Sequence, residues 1–463
     1  MAAVPPIVQA FPIPAPADPG AVYNSDGASA FQRLGFTILV LYLFLIYSRI
    51  FDVKLSFLHI PGISYRVIFA MVILSQAFVR ALKSDIGKAM LGFTVWLVLA
   101  IPGSMWKGGS TALVVDAWLP CFIIFLATAG LIVNYDQCRK AVNAVAYGLL
   151  VLTAIAILWG STEETGRLYL PHGKFSNPNE MAQALLLGLS LWWLMWLNAK
   201  PGVGKAIAGI VMLVMLFTVS KTGSRGAMVS FGILLLAIFL RCAPAGKMKM
   251  LIVTVVLVAF IVGTMPKRLL NRYRTLTEDQ VEIAGDDIES NAYSSTVARK
   301  DLLRKSVKYT FQHPLFGVGP GMFVVAEDKD AIAAGRSHGS WQGTHNSYTQ
   351  VSSECGIPAL VFYVLVIVFA LKKTSRIYRK TRGDPRLADI ANIAVGLNYV
   401  LIVFAASIMF DYIAYSSMLS VFAGLSAALG ATVEAEIERR TAAPAPAPAP
   451  VRTGFRPAMA RQF

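Results

Sequence analysis

The chain has 463 residues, of which 56% are hydrophobic and only 15% are charged, and its mean hydropathy is +0.59. Because soluble domains carry about 25% charged residues, this composition excludes an ordinary soluble protein and predicts one that is embedded in a lipid bilayer. The formal net charge of +16 would suggest a nucleic-acid partner in a soluble protein, but in a membrane protein it is first a property of the loops, so no nucleic-acid partner is predicted.

Apolar runs recur along the chain and predict an all-α polytopic membrane protein with about twelve transmembrane helices. A Pro/Ala-rich N-terminal tail over residues 1–33 precedes nine spans within 34–264, and a large loop over 265–345 separates span nine from span ten. Three more spans lie within 346–431, and an Ala/Pro-rich tail follows over 432–463. The predicted spans are 34–51, 63–79, 87–101, 111–132, 141–159, 181–197, 206–220, 226–240, 250–264, 347–371, 388–408 and 412–431.

The basic residues of the loops predict the orientation of these helices. Of the 42 lysines and arginines, 23 lie in short segments that are cytoplasmic if both termini are inside, 8 lie in short outer segments, and 11 lie in the long loop. Short loops rich in lysine and arginine stay in the cytoplasm, whereas long loops cross the membrane largely regardless of charge. We therefore predict that both termini are cytoplasmic and that the loop over 265–345 lies outside.

Within the long loop, the segment "SSTVARKDLLRKSVKYTFQHP" over 294–314 predicts an amphipathic helix capped by Ser294 or Ser295. Its basic residues also allow a simpler interpretation, in which the helix lies on lipid headgroups. The apolar face is predicted to consist of Val297, Leu302, Leu303, Val307 and Phe311.

Three other motifs are weaker. The glycines of "PLFGVGPGMF", 314–323, fit neither a P-loop nor the dinucleotide fingerprint and predict a tight turn. The "DKD" at 328–330 resembles a metal-binding Asp-x-Asp, but an exposed acidic loop is the favoured interpretation. His338 and His345 are seven residues apart in a Gly/Ser-rich stretch, and the four cysteines form no CxxC, so no metal site, disulfide or cofactor is predicted.

A polar cluster marks the start of span ten, in "THNSYTQVSSECGIPAL" over 344–360. Polar groups at the end of a span indicate a wet cavity rather than contact with lipid. His345 is the candidate general base, because an imidazole titrates near neutral pH. Asn346 and Tyr348 are supporting candidates, and Glu354 is expected either to orient its neighbours or to make a buried structural hydrogen bond.

Four stretches, taken in order, resemble the O-antigen ligase and polymerase superfamily, which includes lipopolysaccharide ligases and Wzy-type polymerases. They are "GRLYLPHGKFSNPNEMAQ" (166–183), "KTGSRGA" (221–227), "ARKDLLRKSVKYTFQHPLFGVGPGMF" (298–323) and "THNSYTQVSSECGIPAL" (344–360), and the resemblance covers residues 150–430. It implies a multi-pass protein of the bacterial inner membrane with about twelve spans and a periplasmic active site. It also implies a metal-independent glycosyltransferase that acts in surface polysaccharide assembly.

The resemblance implies a donor glycan on undecaprenyl diphosphate and an acceptor hydroxyl on a lipid A core, for a ligase, or on another lipid-linked glycan, for a polymerase. Arginine suits the diphosphate leaving group, because its planar guanidinium stays charged and makes forked hydrogen bonds. Arg225 is the first candidate, although it can also be an interfacial anchor, and Arg299 matches the second essential arginine of the family. Arg167 is a third candidate, Arg304 an alternative to Arg299, and Lys221 an additional charge. The implied reaction is a direct displacement with inversion at the sugar carbon.

A transporter or flippase for an anionic or lipid-linked substrate is the competing interpretation, because outer basic residues also attract anions. The sequence shows no pair of interrupted spans in corresponding halves, which would favour a transporter. A purely structural membrane scaffold would leave the outer cluster of arginine and histidine unexplained. The sequence does not separate ligase from polymerase, and it leaves the sugar, the linkage and the oligomeric state open.

Overall fold

The computed structural model describes residues 29–53, 60–171, 173, 176–264 and 287–442. The predicted tails, except for residues 29–33 and 432–442, and residues 265–286 of the predicted long loop lie outside the described residues.

The described part is built from helices, so the predicted all-α class is confirmed. Its two short strands, β1 (Ser161–Thr162) and β2 (Leu168–Tyr169), pair antiparallel. A π-helical turn (Leu113–Trp118) joins α6 to α7, and a 3-10 turn (Pro385–Leu387) precedes α16. The helices are α1 (Ala30–Ser48), α2 (Ile50–Val53), α3 (Ile60–Leu74), α4 (Ala77–Lys83), α5 (Asp85–Ala100), α6 (Lys107–Ala112), α7 (Leu119–Leu131), α8 (Tyr135–Trp159), α9 (Pro178–Asn198), α10 (Val203–Lys221), α11 (Arg225–Arg241), α12 (Pro244–Thr264), α13 (Asp287–Gln312), α14 (Phe323–Ala333), α15 (Ser347–Thr381), α16 (Ala388–Ser407) and α17 (Ser417–Ala442).

Eleven of the twelve predicted spans fall, to within a residue or two at their ends and joints, on one of these helices or on a run of them, and the last, 412–431, begins five residues before α17. Among the described residues, nine helical segments are long and apolar enough to cross a membrane, and α3 and α4 together, bent by 78°, make a tenth if they are counted as one span. Helices α5 and α11, with 16 and 17 residues, are shorter. A polytopic membrane protein is therefore supported, and the count of twelve stays a prediction.

The centre of the bundle is formed by α9, α16 and α17, whose apolar segments are 72%, 83% and 78% buried. Close approach of α9 and α16 depends on Gly396, because a Cβ atom there would lie 2.9 Å from Cβ of Leu194. By contrast, only 6% of the apolar segment of α12 is buried, so this helix lies at the edge of the bundle. Because these three central helices are buried, the turns at their ends are held in fixed positions.

Helix α15 is broken at Gly356, which has φ 84° and ψ 174°, and the glycine-rich segment packs into the break. Ile357 N–H donates to the Pro314 carbonyl over 2.7 Å, and Gly319 N–H donates to the Glu354 carbonyl over 2.9 Å. A Cβ at Gly317, where φ is 67°, would lie 2.2 Å from the Glu354 carbonyl carbon. The prediction of a tight turn at the glycines is therefore confirmed.

The loop helix α13 exists, but its predicted start was wrong. It begins at Asp287, well before the predicted serine cap. Its buried face carries Leu302 and Tyr309 together with the polar Ser306 and Thr310, whereas Val297, Leu303, Val307 and Phe311 are 39–74% exposed. The serine and threonine are tolerated in the interface because their hydroxyls hydrogen-bond: Thr310 shares a 2.8 Å bond with Ser352 and donates to the Ser306 carbonyl.

Candidate active site

A cavity of about 780 Å³ lies at the end of the bundle where the β1–β2 hairpin, the start of α9, α13 and the loop before α15 meet. Its size falls in the range of about 300–1,000 Å³ that is usual for ligand sites. Most of the side chains that line it are polar or aromatic. They include Glu163, Arg167, Asn177, Asn179, Arg299, Trp341, Gln342, His345 and Tyr412. Three of the residues selected from the sequence, Arg167, Arg299 and His345, are therefore brought together.

Arg167 lies just before β2 and ties two loops to each other. Its Nε donates to the Thr222 carbonyl in the α10–α11 turn over 2.8 Å, and its Nη2 donates to Asn179 Oδ1 near the start of α9 over 2.8 Å. The side chain is buried. Two directed bonds from one rigid guanidinium fix the turn next to the cavity, so Arg167 combines a positioning role with a positive charge in the cavity wall.

Arg225 is the first residue of α11 and is 8% exposed, which is unusual for an arginine that merely anchors a helix at the membrane surface. The Ser224 hydroxyl caps the helix by accepting from Ala227 N–H. The backbone N–H groups of a helix N-terminus favour anions. Ser224, Gly226 and Ala227 line a second, smaller cavity, which shares Asn179 and Arg299 with the large one.

His345 stands in the left-handed region with φ 51°, and its ring meets Tyr412 edge to face with centroids 5.2 Å apart. Its Nδ1 is buried and has no hydrogen-bond partner among the described residues. Burial and, to a smaller extent, the positive charge of Arg299 together lower the pKa of His345 to about 4. The ring is consequently neutral at physiological pH and able to accept a proton.

The strained backbone at His345 is held by the neighbouring start of α15. Ser347 N–H donates to the Ile408 carbonyl over 2.8 Å, and the Ser347 hydroxyl donates to the Asp411 carbonyl over 2.8 Å. Gln350 Oε1 accepts from Ala414 N–H over 3.2 Å. These bonds clamp the α16–α17 loop onto the first turn of α15, and a rigid support of this kind suits a reacting group.

The other selected residues have local roles or lie at the margin. Asn346 caps α15 by accepting from the N–H groups of Tyr348 and Thr349, and the Tyr348 hydroxyl donates to the Ala405 carbonyl. Lys221 lies over the ring of Phe217 at 5.0 Å. Arg304 is exposed on α13 and does not line the cavity.

Glu354 is 4% exposed and makes buried structural hydrogen bonds. Its Oε2 accepts from Gly321 N–H over 2.9 Å and from the Tyr415 hydroxyl over 2.7 Å. It is not among the residues that line the large cavity. The structure thus favours the second of the two roles expected for Glu354, because its hydrogen bonds connect α15 to the glycine turn and to the α16–α17 loop.

Sequence reasoning missed Asp411, which lies in the α16–α17 loop and is 3% exposed. Its Oδ1 accepts from Tyr412 N–H, and its Oδ2 has no hydrogen-bond partner among the described residues. Burial raises the pKa of Asp411 to about 6, although the Tyr412 N–H and the charge of Arg299 act in the opposite direction. Asp411 lines the smaller cavity with Gln183 and Arg299. The only signal in the sequence was a lone carboxylate between two apolar spans.

The acidic motif at 328–330 is engaged in structural contacts. Asp328 Oδ1 accepts from Gly339 N–H over 2.7 Å, and Asp330 Oδ2 accepts from Lys308 Nζ and from the Tyr309 hydroxyl. In the described part of the chain, no group of three His, Cys, Asp or Glu side chains is arranged to hold a metal ion.

Residues 210–364 match the family model described as O-Antigen ligase. This match confirms the resemblance to the O-antigen ligase and polymerase superfamily. The chain is also 24% identical over 338 residues to the Teichuronic acid biosynthesis protein TuaE of Bacillus subtilis (strain 168). That alignment covers 67% of this chain and 66% of the relative, just under two thirds of its length. The O-antigen ligase match contains Arg225, Arg299 and His345, whereas Arg167 and Asp411 lie outside it.

Proposed function

We propose that the chain is a membrane glycosyltransferase of surface polysaccharide assembly, which transfers a glycan from an undecaprenyl-diphosphate carrier to an acceptor hydroxyl. The observation that carries this proposal is one cavity lined by a neutral, half-buried histidine, His345, and by Arg167 and Arg299, next to the N-terminus of α9. The O-antigen ligase match and the similarity to a teichuronic acid biosynthesis protein support the same class of reaction.

In the proposed reaction, His345 accepts the proton of the acceptor hydroxyl, and the oxygen attacks the first carbon of the donor sugar. The bond from that carbon to the diphosphate oxygen breaks, and its electron pair leaves with the carrier diphosphate. Arg299 and Arg225 stabilise the negative charge that grows on this leaving group, together with the N–H groups at the start of α11. A single displacement inverts the sugar carbon and requires no covalent intermediate.

The acceptor decides whether the protein is a ligase or a polymerase. A lipid A core sugar makes it a ligase, and a second lipid-linked glycan makes it a polymerase. The proposed location is the bacterial inner membrane, with the cavity on the periplasmic face. A transporter or flippase of a lipid-linked substrate is the alternative, and it would move its substrate without breaking the glycosidic bond.

The decisive test is transfer by the purified protein in lipid nanodiscs, with donor and acceptor extracted from membranes of a strain that lacks it. His345→Ala should lower the rate by about 10²–10⁴-fold, the usual contribution of general-base catalysis. His338→Ala is the matched control, because this neighbouring histidine hydrogen-bonds to the Gly339 carbonyl and is not among the residues that line the cavity.

Arg225→Lys should also be impaired, since lysine keeps the charge but loses the forked geometry, and Arg225→Ala should be worse. EDTA should leave the rate unchanged. Wild-type transfer in His345→Ala and Arg225→Ala at normal expression would refute the assignment. Transport of the lipid-linked glycan without any new glycosidic bond would establish the alternative.

A further inference from the structure

Trp341 lies in an unusual place for a tryptophan. It is 63% exposed, it lines the large cavity, and its backbone is in the left-handed region with φ 54°. Large aromatic side chains are normally buried, and non-glycine residues normally avoid this backbone region. The fold therefore holds an indole in the cavity against two local preferences, and strain of this kind is concentrated at functional sites.

Neighbouring contacts impose this conformation from both sides. Before Trp341, Ser340 donates from its N–H to Glu327 Oε2 over 2.6 Å, and Glu327 is fully buried and bonded to Lys305 Nζ over 2.9 Å. After it, Gly343 packs so closely on Tyr412 that a Cβ atom would lie 2.5 Å from the ring. Because both flanking segments are held, the backbone of Trp341 is kept at the edge of the cavity.

The surroundings of Trp341 are those of a carbohydrate site. A pyranose ring has an apolar C–H face, which stacks on an aromatic ring, and a rim of hydroxyls, which needs amide and charged partners. The cavity supplies a second aromatic ring in Tyr412, which is 37% exposed, and amides in Asn177, Asn179 and Gln342.

We propose that Trp341 is a stacking platform for a pyranose ring of the acceptor glycan. This inference rests on the proposed function and adds a subsite to it. The acceptor is chosen because its hydroxyl must meet His345, which lies four residues along the same loop and lines the same cavity. The start of α11, which is proposed to stabilise the leaving diphosphate, does not line the cavity that contains Trp341.

An exposed tryptophan is also a common anchor at the membrane–water interface. Trp106 provides the matched control for that explanation, because it is 61% exposed and does not line the cavity. If exposure alone mattered, loss of either indole would have the same effect.

The experiment measures initial transfer rates in nanodiscs while donor and acceptor fractions, extracted from membranes of the deletion strain, are titrated separately. Trp341→Ala should raise KM for the acceptor by about tenfold, the scale of losing one stacked ring. KM for the donor and kcat should change little. Trp341→Phe should restore most of the acceptor affinity, since a flat ring is retained, and Trp106→Ala should behave as wild type.

Several outcomes would overturn the inference. An unchanged acceptor KM in Trp341→Ala, while His345→Ala is inactive, would show that Trp341 is not a stacking platform and would not contradict the proposed function. An equal effect of Trp341→Ala and Trp106→Ala would show an interfacial role, and a rise in donor KM alone would contradict the acceptor assignment. Failure of the proposed function itself would appear differently, as full transfer by His345→Ala.

Discussion

The pH dependence of transfer is the sharpest consequence of the site geometry. Burial, with a smaller effect of Arg299, lowers the pKa of His345 from its ordinary 6.5 to about 4. At pH 5 a ring with a pKa of about 4 is about 90% neutral, whereas a solvated imidazole is about 3% neutral. If His345 is the base, the rate at pH 5 should stay near its plateau, about thirtyfold above the rate expected for an exposed histidine.

The assay is an initial-rate profile in nanodiscs between about pH 3.5 and 8. A histidine whose pKa is lower in the folded state stabilises the fold fully above about 6.5, and this contribution is lost as the pH falls towards 4. Tryptophan fluorescence and gel filtration at each pH should therefore show that the protein remains folded where the rate is measured.

Asp411 requires a separate control, because burial raises its pKa to about 6, inside the same range. Asp411→Asn removes that titration, and in this variant the loss of transfer rate at acid pH should still occur near pH 4. If the transfer rate falls between pH 6 and 7 in both the wild type and Asp411→Asn while the fold is intact, the conclusion that His345 is shielded and neutral is refuted.

Three further outcomes are expected. Arg167→Lys cannot reproduce both of its hydrogen bonds, and losing the bond to Asn179 should destabilise the site by about 1.5–3 kcal/mol and lower transfer, as a thermal melt and the transfer assay would show. Gly317→Ala should reduce the yield of folded protein, because its Cβ would lie 2.2 Å from the backbone of α15, whereas Gly383→Ala meets nothing within 4 Å and should fold normally; equal yields would contradict the packing of this turn. A cysteine introduced at Asp287 should react with an impermeant maleimide in intact cells, and labelling only after lysis would reverse the proposed orientation.

Much of the fold was predictable because a bilayer demands continuous apolar stretches, and these stretches are almost entirely helical in the described residues. The buried face of α13 was not predictable in this way. Ser306 is fully buried and Phe311 is 74% exposed, since helix α15 offers Ser352 as a hydrogen-bond partner for Thr310 at this interface. A hydrophobicity pattern records the preference of each residue for water, but it does not record the partner that a neighbouring helix supplies.

The candidate site was likewise predictable from the sequence only in part. Arg225, Arg299 and His345 were found because they lie in recognisable stretches. The structure places Arg299 and His345 on the large cavity, and Arg225 lies between residues that line the smaller one. Asp411 was missed because its burial comes from the packing of the α16–α17 loop on α15, which no local pattern records. The low pKa of His345 has a similar origin, since it depends on burial and on a charge from α13.

The marginal position of α12 has a consequence for how the chain tolerates change. Because only 6% of its apolar segment is buried, exchanging one apolar residue for another there removes few contacts inside the protein. Sequence drift in this helix should then follow the thickness and composition of the host membrane more than the demands of catalysis. The same property makes its lipid-facing positions suitable for attaching a fluorophore or a photoreactive amino acid with little disturbance of the fold.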